Sequence, residues 1–226
     1  TGFKAPTFSE LFADSPFEVG NPGLQPETST NVEAGIEITR GPIRVGATAF
    51  RQSMRELIQY VSGAPGEPTY GNLQAARSQG LELTMHLAAS ATISLRGHLT
   101  LLDTEVTDTG TTASVVFTQG EPLMRRPARR GGITLVARPG ALVASLAATW
   151  VGERDDADFR DLPAARTKLP SYGLLSASAE LPLGRFAGPG ATLLARVENL
   201  LDAEYQHVFG FDGRGRTLHE GARLTF

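Results

Sequence analysis

The chain has 226 residues, 41% of them hydrophobic and 20% charged, with a net charge of −3. A dedicated nucleic-acid binder would carry a basic excess. The absence of cysteine excludes a disulfide framework, a thiolate metal site and a cysteine nucleophile. No apolar run approaches the roughly 18 residues of a spanning helix. The mean hydropathy of −0.12 still admits a barrel in lipid, because half of each barrel strand faces water.

Thr1 to Lys4 reads as the tail of a strand whose start is missing. Residues 5–30, with Pro6, Pro16, Pro22 and Pro26, cannot hold a regular ladder and read as a long loop. Asn31 to Thr39 is a strand, Arg40-Gly41-Pro42 a tight turn, and Ile43 to about Tyr60 the next strand. Its phase blurs after Phe50, as a bulge would cause. Ser62 to Thr69 is a loop. Leu81, Leu83, Met85 and Leu87 alternate with Glu82, Thr84 and His86. After a turn near Ala89-Ser90, Ile93, Leu95, Gly97, Leu99 and Leu101 alternate with Arg96, His98 and Thr100. Both strands carry one apolar and one polar face over about ten residues, the length a tilted membrane strand requires.

A loop from about Asp103 to Arg126 leads to a strand at Gly131 to Ala137, a turn at Pro139-Gly140, and an apolar row from Leu142 to Trp150. Glu153 to Pro170 is a charged loop. Tyr172 to Leu181 and Ala191 to Asn199 are strands around a turn, and Leu201 to Gly213 is a loop. In the last stretch, Arg214 to Phe226, Leu218, Ala222, Leu224 and Phe226 share one parity, and Thr217, His219, Arg223 and Thr225 the other. Glu220 breaks the pattern, a carboxylate at apolar parity.

The expectation is an all-β chain of nine strands and a stub, forming part of an antiparallel transmembrane β-barrel. The connections alternate short and long, as in outer-membrane barrels with short periplasmic turns and long extracellular loops. Tyr60, Trp150, Tyr172, Tyr205 and Phe209 fall at outer strand ends and Phe226 at the inner side, so all six are expected at the membrane interface. A soluble β-sandwich also alternates, but has no reason to segregate its loops by length.

The ordered series G-F-K-A-P-T-F-S-E-L-F, N-P-G-L-Q-P-E-T-S, Gly80-Leu81-Glu82, E-P-L-M-R-R-P, E-N-L-L-D-A-E-Y and the terminal G-R-T-L…F resembles TonB-dependent outer-membrane receptors, nearest to their cobalamin-transporting branch. The resemblance implies a barrel of about 22 strands closed around a plug. It makes this chain the C-terminal portion, residues 1–226, with the plug domain and N-terminal strands absent. The implied function is uptake of a large scarce chelate, cobalamin-like or a siderophore. The implied partners are outer-membrane lipid, lipopolysaccharide, the chelate and, in the whole receptor, the TonB energy-coupling complex. A small self-contained outer-membrane channel and a soluble ligand-binding β-domain are the alternatives.

No catalytic or metal-binding set emerges. The four histidines lack ligand spacing, so the chain reads as a non-enzyme without a cofactor. Tyr70, Phe117 and Phe159 in the outer loops are candidate substrate contacts. Glu82, Arg96, His98, Arg196, Glu198, His219 and Arg223 are expected on a polar wall facing the lumen, with Glu82 roughly opposite His98 as a register-holding ion pair. Arg125, Arg126, Arg129 and Arg130 are placed to meet lipopolysaccharide phosphates or to stay solvated; the resemblance gives Arg125 and Arg126 a structural role. Asp155, Asp156, Asp158 and Asp161 lack the spacing of a calcium loop and read as a solvated acidic loop.

Overall fold

The computed structural model describes residues 1–61, 66–110, 117–160, 164–184 and 190–225. Its main element is a ten-stranded antiparallel sheet. In chain order the sheet strands are β1 (Gly2–Lys4), β2 (Glu27–Arg40), β3 (Ile43–Tyr60), β4 (Tyr70–Ala88), β5 (Ile93–Asp108), β6 (Arg129–Ala137), β7 (Val143–Val151), β10 (Tyr172–Gly184), β11 (Ala191–Glu198) and β14 (Thr217–Arg223). Each pairs with its neighbours in that order, leaving β1 and β14 as open edges. A short helix α1 (Phe8–Phe12), a hairpin of β8 (Arg154–Asp158) and β9 (Ala165–Leu169), and a pair β12 (Gln206–Val208) and β13 (Phe211–Asp212) decorate the long-loop end.

Turn chemistry fixes the hairpins. Arg40 pairs with Ile43, so Gly41-Pro42 makes a two-residue turn. Gly41 takes φ 57, and glycine at the first central position suits the turn whose twist matches the flanking strands. With the turn set, period two sorts every side chain to one face or the other. Ile36, Ala47, Leu83, Leu99, Gly131 and Trp150 follow one another strand to strand in register. Leu175, Ala177, Ala179 and Leu181 continue that face onto Val197, Ala195 and Leu193 of β11 and Leu218 of β14. We call this the aliphatic face.

It is uncovered: Ile36 is 64% exposed, Leu193 47% and Leu218 59%. Holding a Leu or Ile in water rather than burying it costs about 1.5–3 kcal/mol, so a continuous row of them calls for a nonaqueous neighbour. The soluble reading required a second layer over these rows. None lies there among the described residues.

The blurred phase of β3 has a chemical cause, not a bulge at Phe50. Register with β2 and β4 runs unbroken through Phe50 to Arg55. What changes is the aliphatic face itself, which passes from Val45, Ala47 and Ala49 to Arg51, Ser53 and Arg55. The backbone irregularities come later, at Glu56 with φ 54 and between Ala75 and Ala76.

Glu220 did not slip either. It pairs with Ala195, which puts it on the aliphatic face of edge strand β14. The final strand ends at Arg223; Phe226, like Asp161, lies outside the described residues.

Among the described residues the buried hydrophobic cluster lies at the long-loop end. Leu73, Ala76, Val106, Phe117, Leu123, Ala157 and Ala164 are buried together, with Met54, Leu57, Val61 and Met124 against them. Ala76 shares the parity of Glu82, and Val106 that of His98. The long loops therefore fold over the polar face of the tall strands β3, β4 and β5.

Candidate functional site

Two settings carry the candidate residues: the polar face of the sheet and the rim above it. On the polar face, Arg196 and His219 are direct cross-strand partners. Arg196 Nη2 lies 2.8 Å from Glu198 Oε1, and His219 Nε2 lies 3.9 Å from Glu198 Oε2. Arg223 is joined to Glu180 at 3.2 Å, and Ser145 and Ser178 share a 2.8 Å hydroxyl hydrogen bond. Glu180 was overlooked in the sequence, although its parity on β10 marks it.

The Glu82–His98 pairing is corrected by two residues. Glu82 stands opposite Thr48 and Thr100, while His98 stands opposite Thr84 and Gly132. Arg96 faces His86 and Thr134. These three charges share a face but make no ion pair with one another among the described residues. Gly132 leaves room for the His98 ring, since a Cβ there would fall 2.8 Å from its Cε1.

At the rim the loops are knotted, not solvated. Asp156, with a side chain 0% exposed, accepts from Arg125 Nε at 2.8 Å. It also accepts from the amides of Ala157 and Phe209, each at 2.8 Å. One carboxylate thus ties three segments of the loop end together. Asp155 pairs with Arg166 at 3.2 Å, and Asp158 with Arg160 at 2.6 Å. The expected acidic loop is therefore a β-hairpin whose carboxylates are spoken for, which leaves none of the three as a free cation ligand. The Arg160 guanidinium beside Asp158 holds that carboxyl below its ordinary value. Among the described residues no three His, Asp or Glu side chains gather as a metal site.

Two aromatic clusters flank this knot. Tyr60 meets Tyr70 edge-on at 5.6 Å and Phe159 at 5.7 Å between ring centroids. The Tyr60 hydroxyl donates to the Phe17 carbonyl at 2.9 Å, and that of Tyr70 to Glu18 at 3.2 Å. Tyr60 and Phe159 remain 38% and 43% exposed. Two of the three candidate contacts, Tyr70 and Phe159, thus come together around Tyr60. Phe117 does not join them: it is 4% exposed within the loop core, where its ring packs and offers almost no surface to a ligand.

In the second cluster Tyr172 stacks on Tyr205 at 4.7 Å and hydrogen-bonds His207 Nδ1 at 3.0 Å. Arg154 lies over the Tyr172 ring at 5.3 Å and donates to the Gln206 and His207 carbonyls.

These contacts correct the interface assignment. Tyr172 pairs with Val151 and so faces away from Trp150; with Tyr205 it is engaged on the polar side. Phe209 sits under Arg160 at 4.9 Å. Of the described interface candidates only Trp150 stands on the aliphatic face. Phe3, paired with Thr28, stands there too and was missed because a three-residue stub sets no phase.

Among curated proteins, the vitamin B12 transporter BtuB of Vibrio vulnificus is 30% identical over 215 residues, covering 95% of this chain and 31% of that protein. Its counterpart in Vibrio cholerae is 25% identical over 226 residues, covering 97% and 32%. The chain thus spans about a third of the length of these relatives. Among solved structures the copper transporter OprC superposes with a TM-score of 0.75 at 18% identity, covering 99% of this chain and 36% of that one. The ferric enterobactin receptor PfeA of Pseudomonas aeruginosa gives 0.68 at 21%, covering 97% and 36%. The profile described as "TonB dependent receptor-like, beta-barrel" matches residues 1–200, and the chain belongs to that family of bacterial outer-membrane receptors, which are not enzymes.

Proposed function

We propose that this chain is the C-terminal part of the barrel wall and outer rim of a receptor that takes up a large, scarce chelate. A cobalamin-like ligand is favoured over a siderophore, because the two B12 transporters match nearly the whole chain. In this reading a plug and further strands complete the barrel, closing the open edges at β1 and β14. The TonB complex drives release, and outer-membrane lipid with lipopolysaccharide surrounds the aliphatic face.

The observation that carries the reading is the division of labour across one sheet. An uncovered aliphatic face backs a polar face holding Glu82, Arg96, His98, Arg196, Glu198, His219 and Arg223, which would line the lumen. Above it, the loop core and the Asp156 knot hold Tyr60, Tyr70 and Phe159 in place before a ligand arrives, and pre-ordering lowers the entropy cost of capture. Aromatic rings supply contact area with few rotatable bonds, which suits a bulky corrin or chelate face.

The test is binding of radiolabelled cyanocobalamin, beside a ferric siderophore, to cells carrying the full-length gene product. We expect saturable cobalamin binding. Y60A/F159A should weaken it about tenfold, each aromatic contact contributing about 0.5–1.5 kcal/mol. A full-length receptor at normal outer-membrane abundance that binds neither ligand would overturn the reading.

A further inference from the structure

The aliphatic face changes character at one level across four adjacent strands. On β3 it runs Val45, Ala47, Ala49 and then Arg51, Ser53, Arg55. On β4 it runs Leu87, Met85, Leu83, Leu81 and then Gln79, Arg77. On β5, Leu99 and Leu101 give way to Asp103 and Glu105, and on β6, Ile133 and Gly131 to Arg129. Register makes these switches coincide: Arg51 is opposite Gln79, which is opposite Asp103, and Arg129 is opposite Leu101. Adjacent strands lie about 5 Å apart, so the side chains form one continuous outward band directly above the hydrocarbon-facing rows.

Four guanidiniums share this band with two carboxylates. Arg77 takes both: its Nη2 lies 2.6 Å from Glu105 and 3.7 Å from Asp103. Its Nε is buried and without a hydrogen-bond partner. Arg51, Arg55 and Arg129 are exposed and have no carboxylate partner among the described residues. Phe3, next to Arg55 through Thr28, and Trp150, next to Gly131, bracket the band on the same face, where aromatics mark the edge of the apolar layer. Of the arginines first considered for this role, Arg125 is committed to Asp156 and Arg130 shares the parity of Thr100 on the opposite face. Arg126 is an exposed residue of the loop before β6, so of the four first considered Arg129 is the one that the register places on the outward face.

We propose that Arg51, Arg55 and Arg129, flanking the Arg77–Glu105 pair, form a seat for the phosphorylated headgroup of an outer-leaflet glycolipid, with its acyl chains lying along the Val45–Ala49 and Leu81–Leu87 rows beneath. A guanidinium fork matches phosphate oxygens with paired hydrogen bonds, and the adjoining aliphatic rows accept the chains of the same molecule. Both halves of an anionic amphiphile are thus met within one patch. The inference rests on the outer-membrane reading above and names the surface at which that membrane's lipid is held.

The experiment uses the full-length receptor, extracted from outer membranes in mild detergent. Phosphorylated glycolipid retained per protein is measured by mass spectrometry. Rebinding of phosphorylated and enzymatically dephosphorylated lipid A is then compared in nanodiscs. R51Q/R55Q/R129Q should retain roughly tenfold less lipid and should no longer prefer the phosphorylated form. The single variants Arg51→Gln and Arg55→Gln, both at exposed positions, should each show a smaller loss in the same direction if the triple variant folds poorly. Arg44→Gln, on the opposite face near the short turns and joined to exposed Glu37 at 3.7 Å, should match wild type.

Equal retention by wild type and the band variants, or rebinding indifferent to phosphate, overturns the seat and leaves the receptor reading intact. Absence of the protein from the outer-membrane fraction overturns both.

Discussion

The two ends of this sheet are stabilised by different physics. Below the rim, β2 to β7 form a wall one strand thick, with aliphatic side chains outward and Thr, Ser and charged groups inward. Its backbone is satisfied by ladder pairing, and its apolar surface waits for lipid. At the long-loop end the same strands run on past the aliphatic rows and gain a core of the ordinary soluble kind: Leu73 and Val106 are fully buried and Asp156 is sealed among its donors. The lesson is that one strand can obey both solvents in turn. Substitutions should therefore sort by end, and by whether lipid is present.

The largest effect is expected at the knot. Asp156→Ala leaves Arg125 Nε and the Ala157 and Phe209 amides without their acceptor, at a cost of about 4–5 kcal/mol for the three donors together. Hydrogen exchange on the full-length receptor should show lost protection in residues 154–158 and 206–209 while β2 to β5 below the rim stay unchanged. Uniform loss along the sheet would erase the distinction between the ends.

Leu83→Arg probes the other end. A guanidinium on the lipid face costs about 2–4 kcal/mol near midplane and much less at the edges, whereas Thr84→Arg, one residue on and facing inward, should cost under about 1 kcal/mol. Urea unfolding in lipid vesicles measures both. Equal costs would mean the two faces have been assigned wrongly.

How legible these ends were in the sequence follows from the same contrast. The wall was readable because lipid and water impose period two on every residue: Leu81 to Leu87 against Glu82 to His86 announces strand, face and neighbour at once. Nine of the ten sheet strands could be placed from that signal, though not their outer ends: β4 already begins at Tyr70 and β5 runs on to Asp108. The rim was not readable, because its order comes from contacts far apart in the chain. Asp156 meets Arg125 and Phe209, and Tyr60 meets Phe159, across separations no local pattern encodes. A run such as Arg154-Asp155-Asp156 looks solvated until Arg125 and Arg166 arrive from elsewhere. The Arg51 to Arg55 stretch misled in the opposite sense: its alternation was intact, but the chemistry of the outward face had changed, and a changed face resembles a broken period.

The smallest effect concerns how the first loop is fastened to the rim. Thr7 caps α1: its hydroxyl accepts from the Glu10 amide, and the Glu10 carboxylate accepts from the Thr7 amide at 2.6 Å and from Lys4 at 3.1 Å. Burial alone raises the Glu10 pKa; the Thr7 bonds and Lys4 reverse that and leave it below its ordinary 4.5. A depressed folded-state value means the contribution is complete above pH 4.5 and fades as pH falls through the lower value. Limited proteolysis of residues 7–21 should therefore be flat from neutral pH down to that point and accelerate in more acidic buffer. Thr7→Ala should accelerate cleavage at every pH, matching a cap worth about 1 kcal/mol. Glu10→Gln should abolish the acid step in this loop but not in the β8–β9 hairpin, where Asp158 and Arg160 provide their own. An acid step that persists in Glu10→Gln would overturn this assignment, because the fastenings beside it, the Asn21 amide on the Tyr70 carbonyl at 3.0 Å and the Val19–Thr69 backbone bond, do not titrate.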